Sequence, residues 1–299
     1  MTGAAGVALQ RVGLAAGDGK EPFCLQAARL LLDAGIALSV HANGREAVAP
    51  LLDAGAHWCS TPAALPGGCE VLLTGLAVPA DASALLAVFA GVPDGLPRPL
   101  VVDLGTFSPH DVQAVAARLA TLGVDMLDVA QVEGGDGVPA LRVGGSAPAF
   151  ERARPLLERI GGDVRHVGAI GAGRVVAGCH RMVEALTVEA VAEALTLARR
   201  LGADASRVRA ALAGGFAASR ILDVQGARML SRDFATGAPA GLHADALGRM
   251  VDEAHALGLD LPGTALVAQQ LNALVGAGEG GLDSSALVCV LERMAGERR

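Results

Sequence analysis

Gly168-Ala169-Ile170-Gly171-Ala172-Gly173-Arg174-Val175-Val176-Ala177-Gly178-Cys179-His180-Arg181-Met182-Val183-Glu184-Ala185-Leu186-Thr187-Val188-Glu189-Ala190-Val191-Ala192-Glu193-Ala194-Leu195-Thr196-Leu197-Ala198-Arg199-Arg200 runs from a glycine-punctuated turn into a stretch without proline. From Arg174 to Arg200 it reads as one helix of roughly 40 Å, at 1.5 Å per residue. Val175, Val176, Cys179, Met182, Val183, Leu186, Val188, Val191, Leu195 and Leu197 lie nearly all round it. That pattern predicts burial by neighbours on most sides. Gly202 supplies the C-terminal stop.

Upstream, strand and helix signals alternate. Strands are expected at 7–16, 36–41, 71–74, 100–104, 124–128 and 140–143, and helices near 22–34, 44–54, 81–90, 109–121 and 148–160. Pro155 is expected to kink or shorten the last of these. Such alternation implies parallel strand–helix–strand units. Downstream of Gly202 only helices are read, at about 204–212, 217–230, 244–257, 263–275 and 284–296. The fold predicted is therefore α/β, a Rossmann-like domain over 1–168 followed by an all-helical domain over 169–299, with the long helix joining them.

Composition narrows the partners. The formal charge of −7 and the lack of a basic stretch argue against a nucleic-acid partner. Aromatic residues make up only 2% of the chain, so the core must come from Ala, Leu and Val. Cys24, Cys59, Cys69, Cys179 and Cys289 form no Cys-x-x-Cys pair. Buried, reduced thiols in a cytoplasmic protein are expected, with no metal site. No signal peptide or membrane span is read. Lys20 is the one lysine.

After the first strand, Gly17-Asp18-Gly19-Lys20-Glu21-Pro22 supplies two glycines of a Gly-x-Gly-x-x-Gly fingerprint. In that motif glycines let the backbone approach a pyrophosphate, and the helix N-terminus holds the charge. Here Pro22 replaces the third glycine, and Asp18 and Glu21 place carboxylates where phosphates would sit, although Lys20 offsets one. A tight strand-to-helix turn explains the same residues. After the second strand, His41-Ala42-Asn43-Gly44-Arg45 lacks the acid that binds an adenosine ribose. Asn43 and Arg45 suit a 2′-phosphate; a solvated loop accounts for them equally well.

Three stretches carry a resemblance: Asp103-Leu104-Gly105-Thr106-Phe107-Ser108-Pro109; Val143-Gly144-Gly145 with Phe150-Glu151-Arg152; and Ala211 to Asp233. With Leu282-Asp283-Ser284-Ser285-Ala286-Leu287-Val288 and the order of elements, they resemble the β-hydroxyacid dehydrogenase family. That family includes 3-hydroxyisobutyrate dehydrogenase and tartronate semialdehyde reductase. The resemblance implies a nicotinamide dinucleotide, NAD(P), and a carboxylate substrate. It also implies a lysine on the long helix that donates a proton to the carbonyl oxygen during hydride transfer.

Counted from Gly171-Ala172-Gly173, the lysine position is Ala177. The asparagine just downstream and its neighbour become His180 and Arg181. A second, cofactor-side lysine becomes Asp245, within Leu242-His243-Ala244-Asp245. The substrate loop Pro-Val-Ser-Gly-Gly becomes Gln131-Val132-Glu133-Gly134-Gly135, which keeps the glycine pair but puts Glu133 at the serine. Thr106 matches the family on the cofactor side. Two cations are gone and two acids have come in, so the lysine-dependent chemistry is expected to be lost or altered, and dinucleotide binding weak or absent.

Ala177, His180, Arg181 and Glu184 share one helix face by spacing. His180 can serve as a substitute acid and Arg181 as a carboxylate anchor; the alternative is a polar His180, with Arg181 paired to Glu184 or to solvent. The expectation is a divergent NAD(P)-dependent oxidoreductase, or else a non-catalytic scaffold that partners an active paralogue. A homo-oligomer through the helical domain, dimer or tetramer, is expected in either case.

Overall fold

A computed structural model of the chain describes residues 11–19, 21–92, 97–132, 138–235 and 237–296. It divides into two compact units, Met1–Ala177 and Gly178–Arg299.

In the first unit the chain runs through β1 (Arg11–Ala15), α1 (Pro22–Asp33), β2 (Ala37–His41), α2 (Ala49–Asp53), β3 (His57–Trp58), β4 (Val71–Thr74) and α3 (Pro79–Ala90). It continues through β5 (Leu100–Asp103), α4 (Pro109–Thr121), β6 (Met126–Val132), β7 (Ala140–Gly144), α5 (Ala147–Ile160) and β8 (Asp163–Gly168). One eight-stranded sheet results, in the order β3-β2-β1-β4-β5-β6-β7-β8. Alternation along each strand feeds two cores. Leu73 and Val102 face α1 and α5, whereas Leu72 and Val101 face α3 and α4. The sheet is covered on both faces, and this explains strands that are apolar without a break.

The strands are parallel except for the β6–β7 pair. The expected parallel strand–helix–strand pattern does not extend to this pair, because residues 133–139 are too few for a crossover helix. Two strands, β3 and β8, lie outside the sequence expectation. Pro155 does not shorten α5, which runs unbroken past it. The carbonyl that Pro155 leaves without a donor belongs to exposed Glu151, where water can serve it. Residues 45–48 form a tight three-residue-per-turn segment ahead of α2, where a full α-helix was expected. Pro50, in the first turn of α2 just beyond it, withholds an N–H.

The second unit holds most of α6 (Ala172–Arg200), then α7 (Ala205–Leu212), α8 (Arg220–Ser231), α9 (Ala240–Ala256), α10 (Pro262–Gly276) and α11 (Leu287–Met294). Val188, Ala192 and Leu195 of α6 join Leu247, Leu271, Leu274 and Leu287 in its core. Asp204 caps α7, as its side chain accepts from the amides of Ser206 and Arg207. Ser219 caps α8 and moves its start from the expected 217 to Arg220. At the far end Glu292 accepts hydrogen bonds from Arg199 and Arg232, which ties α11 to α6 and to the end of α8.

The expected burial of α6 on most sides is corrected. Val183 is 64% exposed and Leu197 59% exposed, and Val175 and Leu186 are also exposed. Of the thiols, Cys24 and Cys289 are buried but Cys179 is exposed. No described helix is long and apolar enough to cross a membrane.

Candidate functional site

Ala15 of β1 pairs with His41 of β2 on one side and Thr74 of β4 on the other, and Thr74 pairs with Asp103 of β5. The carboxyl ends of these strands therefore lie level. The chain runs from β1 to β2 in one direction and later returns to β4 in the other. In such sheets ligands bind outside the strand ends, at this switch point.

The turn after β1 has the predicted backbone. Gly17 and Gly19 have φ of 53° and 68°, a region that favours glycine. The Gly19 amide donates to the Ala16 carbonyl at 2.8 Å and closes the turn. Asn43 does not stand free for a ligand: its Nδ2 donates to Asp18 Oδ1 at 2.5 Å. Arg45 lies over the Trp58 ring at 5.3 Å from its centroid, with His41 against the same ring at 5.6 Å. Thr106 donates from its hydroxyl to Glu21 Oε1 at 3.4 Å. Lys20, Glu133, Gly134 and Gly135 lie outside the described residues.

Asp81 was not anticipated. It accepts from the amides of Ala77 and Val78, both at 3.0 Å, at the start of α3. A Cβ on Gly17 would stand 3.6 Å from its Oδ1. Asp18, Glu21 and Asp81 thus ring the crevice. Burial pushes the Glu21 carboxyl above the ordinary glutamate range; the Thr106 hydroxyl pulls it back, and the charges of Asp103 and Asp81 add to the rise.

Beneath the crevice lies a buried ionic cluster. Arg174 is 8% exposed, and Asp103 and Asp128 are fully buried. The Arg174 guanidinium donates to Asp103 Oδ2 at 2.7 Å and to the carbonyls of Val129 and Asp103. Burial raises the Asp103 carboxyl, and Arg174 and the amides of Leu76 and Gly105 oppose the rise. Asp128 accepts from the amides of Gly171 at 2.6 Å and Arg174 at 2.9 Å, so it closes the N-terminus of α6. Gly173 permits this approach, since a Cβ there would come within 2.7 Å of Asp128 Oδ2. The available signal was an acid in an otherwise apolar strand, at the end of β5 for Asp103 and inside β6 for Asp128.

On α6 the face predicted from spacing divides between the two units. Ala177 is buried and ends the first. In the second, the His180 side chain is 41% exposed, with Nε2 4.0 Å from Glu184 Oε2. Arg181 is half-buried, and Asp245 lies exposed on α9. Glu184 and His243 line a crevice with Val188, Leu271, Ser284 and Leu287 that is too narrow for a water molecule. Among the described residues no three ligating side chains gather to hold a metal ion.

A dinucleotide pyrophosphate requires donors and positive charge at the turn after β1. The backbone of that turn suits it. Three described carboxylates, Asp18, Glu21 and Asp81, lie around it.

Residues 25–168 match the family described as the NAD binding domain of 6-phosphogluconate dehydrogenase. Residues 171–291 match the one described as NAD-binding of NADP-dependent 3-hydroxyisobutyrate dehydrogenase. Among curated relatives, 2-hydroxy-3-oxopropionate reductase of Escherichia coli is 41% identical over 203 residues, which span 66% of this chain and 69% of the relative. A probable mitochondrial 3-hydroxyisobutyrate dehydrogenase-like protein of Arabidopsis thaliana is 30% identical over 271 residues, 88% of this chain and 80% of the relative. Among solved structures, 3-hydroxyisobutyrate dehydrogenase of Mycobacterium tuberculosis with L-serine superposes with a TM-score of 0.83 at 25% identity, covering 95% of this chain and 99% of that one. With both halves matched in order on a doubly covered sheet and a helical unit, the chain belongs to the NAD(P)-dependent β-hydroxyacid dehydrogenase family.

Proposed function

We propose that this family member has lost or altered the lysine-dependent chemistry of its relatives, and that it binds NAD(P) weakly or not at all. The observation that carries the reading is Ala177, a buried methyl at the position that corresponds to the family's proton-donating lysine. A methyl has no proton to give to a carbonyl oxygen. Proton donation typically contributes 10²–10⁴-fold, and an oxyanion left without a donor costs several kcal/mol in the barrier. Glu133, at the position of the family's serine, would repel a substrate carboxylate. Asp18, Glu21 and Asp81 act on the cofactor side in the same direction.

His180 supports a second reading. It is partly exposed, with Nε2 4.0 Å from Glu184 Oε2, and an imidazole there can act as a substitute acid. Assays of tartronate semialdehyde reduction and 3-hydroxyisobutyrate oxidation separate the two. Under the first reading the parent is inactive, and Ala177→Lys with Glu133→Ser creates measurable turnover. An ordinary parental rate that His180→Ala abolishes would establish the second.

We also propose a homo-oligomer formed through the helical unit. Val183, Leu186 and Leu197 leave an exposed apolar strip on α6, with Leu201 just beyond its end. Light scattering that gives a mass of about twice or four times the chain supports this; a monomer at micromolar concentration does not.

A further inference from the structure

Glu21 directly precedes α1, with extended backbone (φ −92°, ψ 96°), and its side chain makes no capping bond to the helix. The carboxylate reaches elsewhere. Its stem lies over Gly75, just beyond β4, where an added Cβ would come within 2.9 Å of both Cβ and Cγ of Glu21. Its Oε1 receives the Thr106 hydroxyl on the loop after β5. The side chain therefore crosses the switch point, from the start of the first helix over the end of β4 to the loop past β5. Asp81 faces it from α3, Asp103 from β5, Arg174 from α6 and Cys24 from α1. Asp18 stands in the same turn.

We infer that Glu21 is the residue that sets ligand specificity at this crevice: its carboxylate straps the switch point, bars a dinucleotide pyrophosphate while ionised, and yields when protonated or replaced. The inference rests on reading this crevice as the family's dinucleotide place, and not on the fate of position 177. A pyrophosphate laid over the ends of β1, β4 and β5 must displace the strap and then lie beside its charge. Burial, reinforced by Asp103 and Asp81, lets Glu21 take up a proton at a higher pH than an ordinary glutamate, although Thr106 and Arg174 oppose this. The strap should loosen on mild acidification.

The test is calorimetric titration of the full chain with NAD⁺ and NADP⁺, which tolerate acid, in the absence of any substrate. Glu21→Gln keeps the shape and removes the charge; it should bind about tenfold more tightly than the parent at neutral pH. Glu21→Gly, which removes both, should also gain. Asp18→Asn should gain less than Glu21→Gln. As pH is lowered toward the raised Glu21 pKa, the gap between parent and Glu21→Gln should narrow. Thermal melting of each variant checks its fold. No gain in either Glu21 variant overturns the inference, as does a gap that ignores pH or an equal gain in Asp18→Asn. A parent that binds tightly counts against the weak-affinity reading alone; the strap stands or falls on the differences between variants.

Discussion

Two glycine-punctuated turns in the first unit each lead from a strand into a helix, and they have opposite fates. At Gly171-Ala172-Gly173 the first amides of α6 are filled from inside by Asp128, a fully buried carboxylate. At Gly17-Asp18-Gly19 the start of α1 receives no side-chain cap, and of the carboxylates nearby Asp18 is exposed and Glu21 and Asp81 are half-exposed. Similar local sequence thus yields a closed structural joint in one place and an open, negatively charged mouth in the other. An acid next to a Gly-x-Gly turn has no fixed meaning. Its role depends on whether the fold buries it beside a cation or leaves it facing water.

The largest test of this contrast is Arg174→Met. It leaves Asp103 buried without its cation, and breaking such a pair typically costs about 3–5 kcal/mol. Trp58, the single tryptophan, lies in the same unit, so its fluorescence in urea can report the loss. A change below about 1 kcal/mol would mean that the cluster does not hold the unit together. Asp128→Asn should cost less, about 2 kcal/mol, because the amide's oxygen still accepts one of the two backbone N–H groups. The same titration checks it, and a cost equal to that of Arg174→Met would erase the distinction between cap and ion pair.

Glu21→Gln should show the smallest effect and the opposite sign. Glu21 is raised in the folded chain, so folding is favoured while the group is protonated, below its unfolded pKa. That contribution is lost as pH rises through the folded pKa. The variant should therefore match the parent in acid and gain slightly at neutral pH, by less than about 1 kcal/mol for a half-exposed group. Thermal melts across pH would show this, and destabilisation at neutral pH would place Glu21 with Asp128 among the structural acids.

Much of the scaffold was legible because its signals are local. The proline-free run with its two flanking glycines marks α6, and uninterrupted apolar runs mark β4 and β5. The edge strand β8 was not, since Asp163, Arg165 and His166 interrupt its apolar pattern. Such charges suit an edge, where they deter pairing with another chain. The exposed strip on α6 is a different case. An apolar residue reports a preference for burial, and within this one chain Val183 and Leu197 do not attain it. At the site, Gly17 and Gly19 were read from motif spacing and Thr106 from the family resemblance. Partnerships such as Asp103 with Arg174, Asn43 with Asp18 and Arg45 with Trp58 join residues far apart in sequence. No local pattern encodes them.

The Arg174–Asp103 pair also bears on synthesis. The acid leaves the ribosome 71 residues ahead of its cation. Until Arg174 emerges, β5 has a carboxylate to bury and nothing to neutralise it, which opposes early closure of the nascent core. The last strand ends at Gly168, yet the sheet unit is completed only by the first turns of a helix whose remaining length serves the other unit. A nascent chain halted at Gly168 should expose the amides of β5 to hydrogen exchange, and one carried past Ala177 should protect them. Translation of the first half is thus finished, in the physical sense, by residues that a map of strands alone would assign to the second.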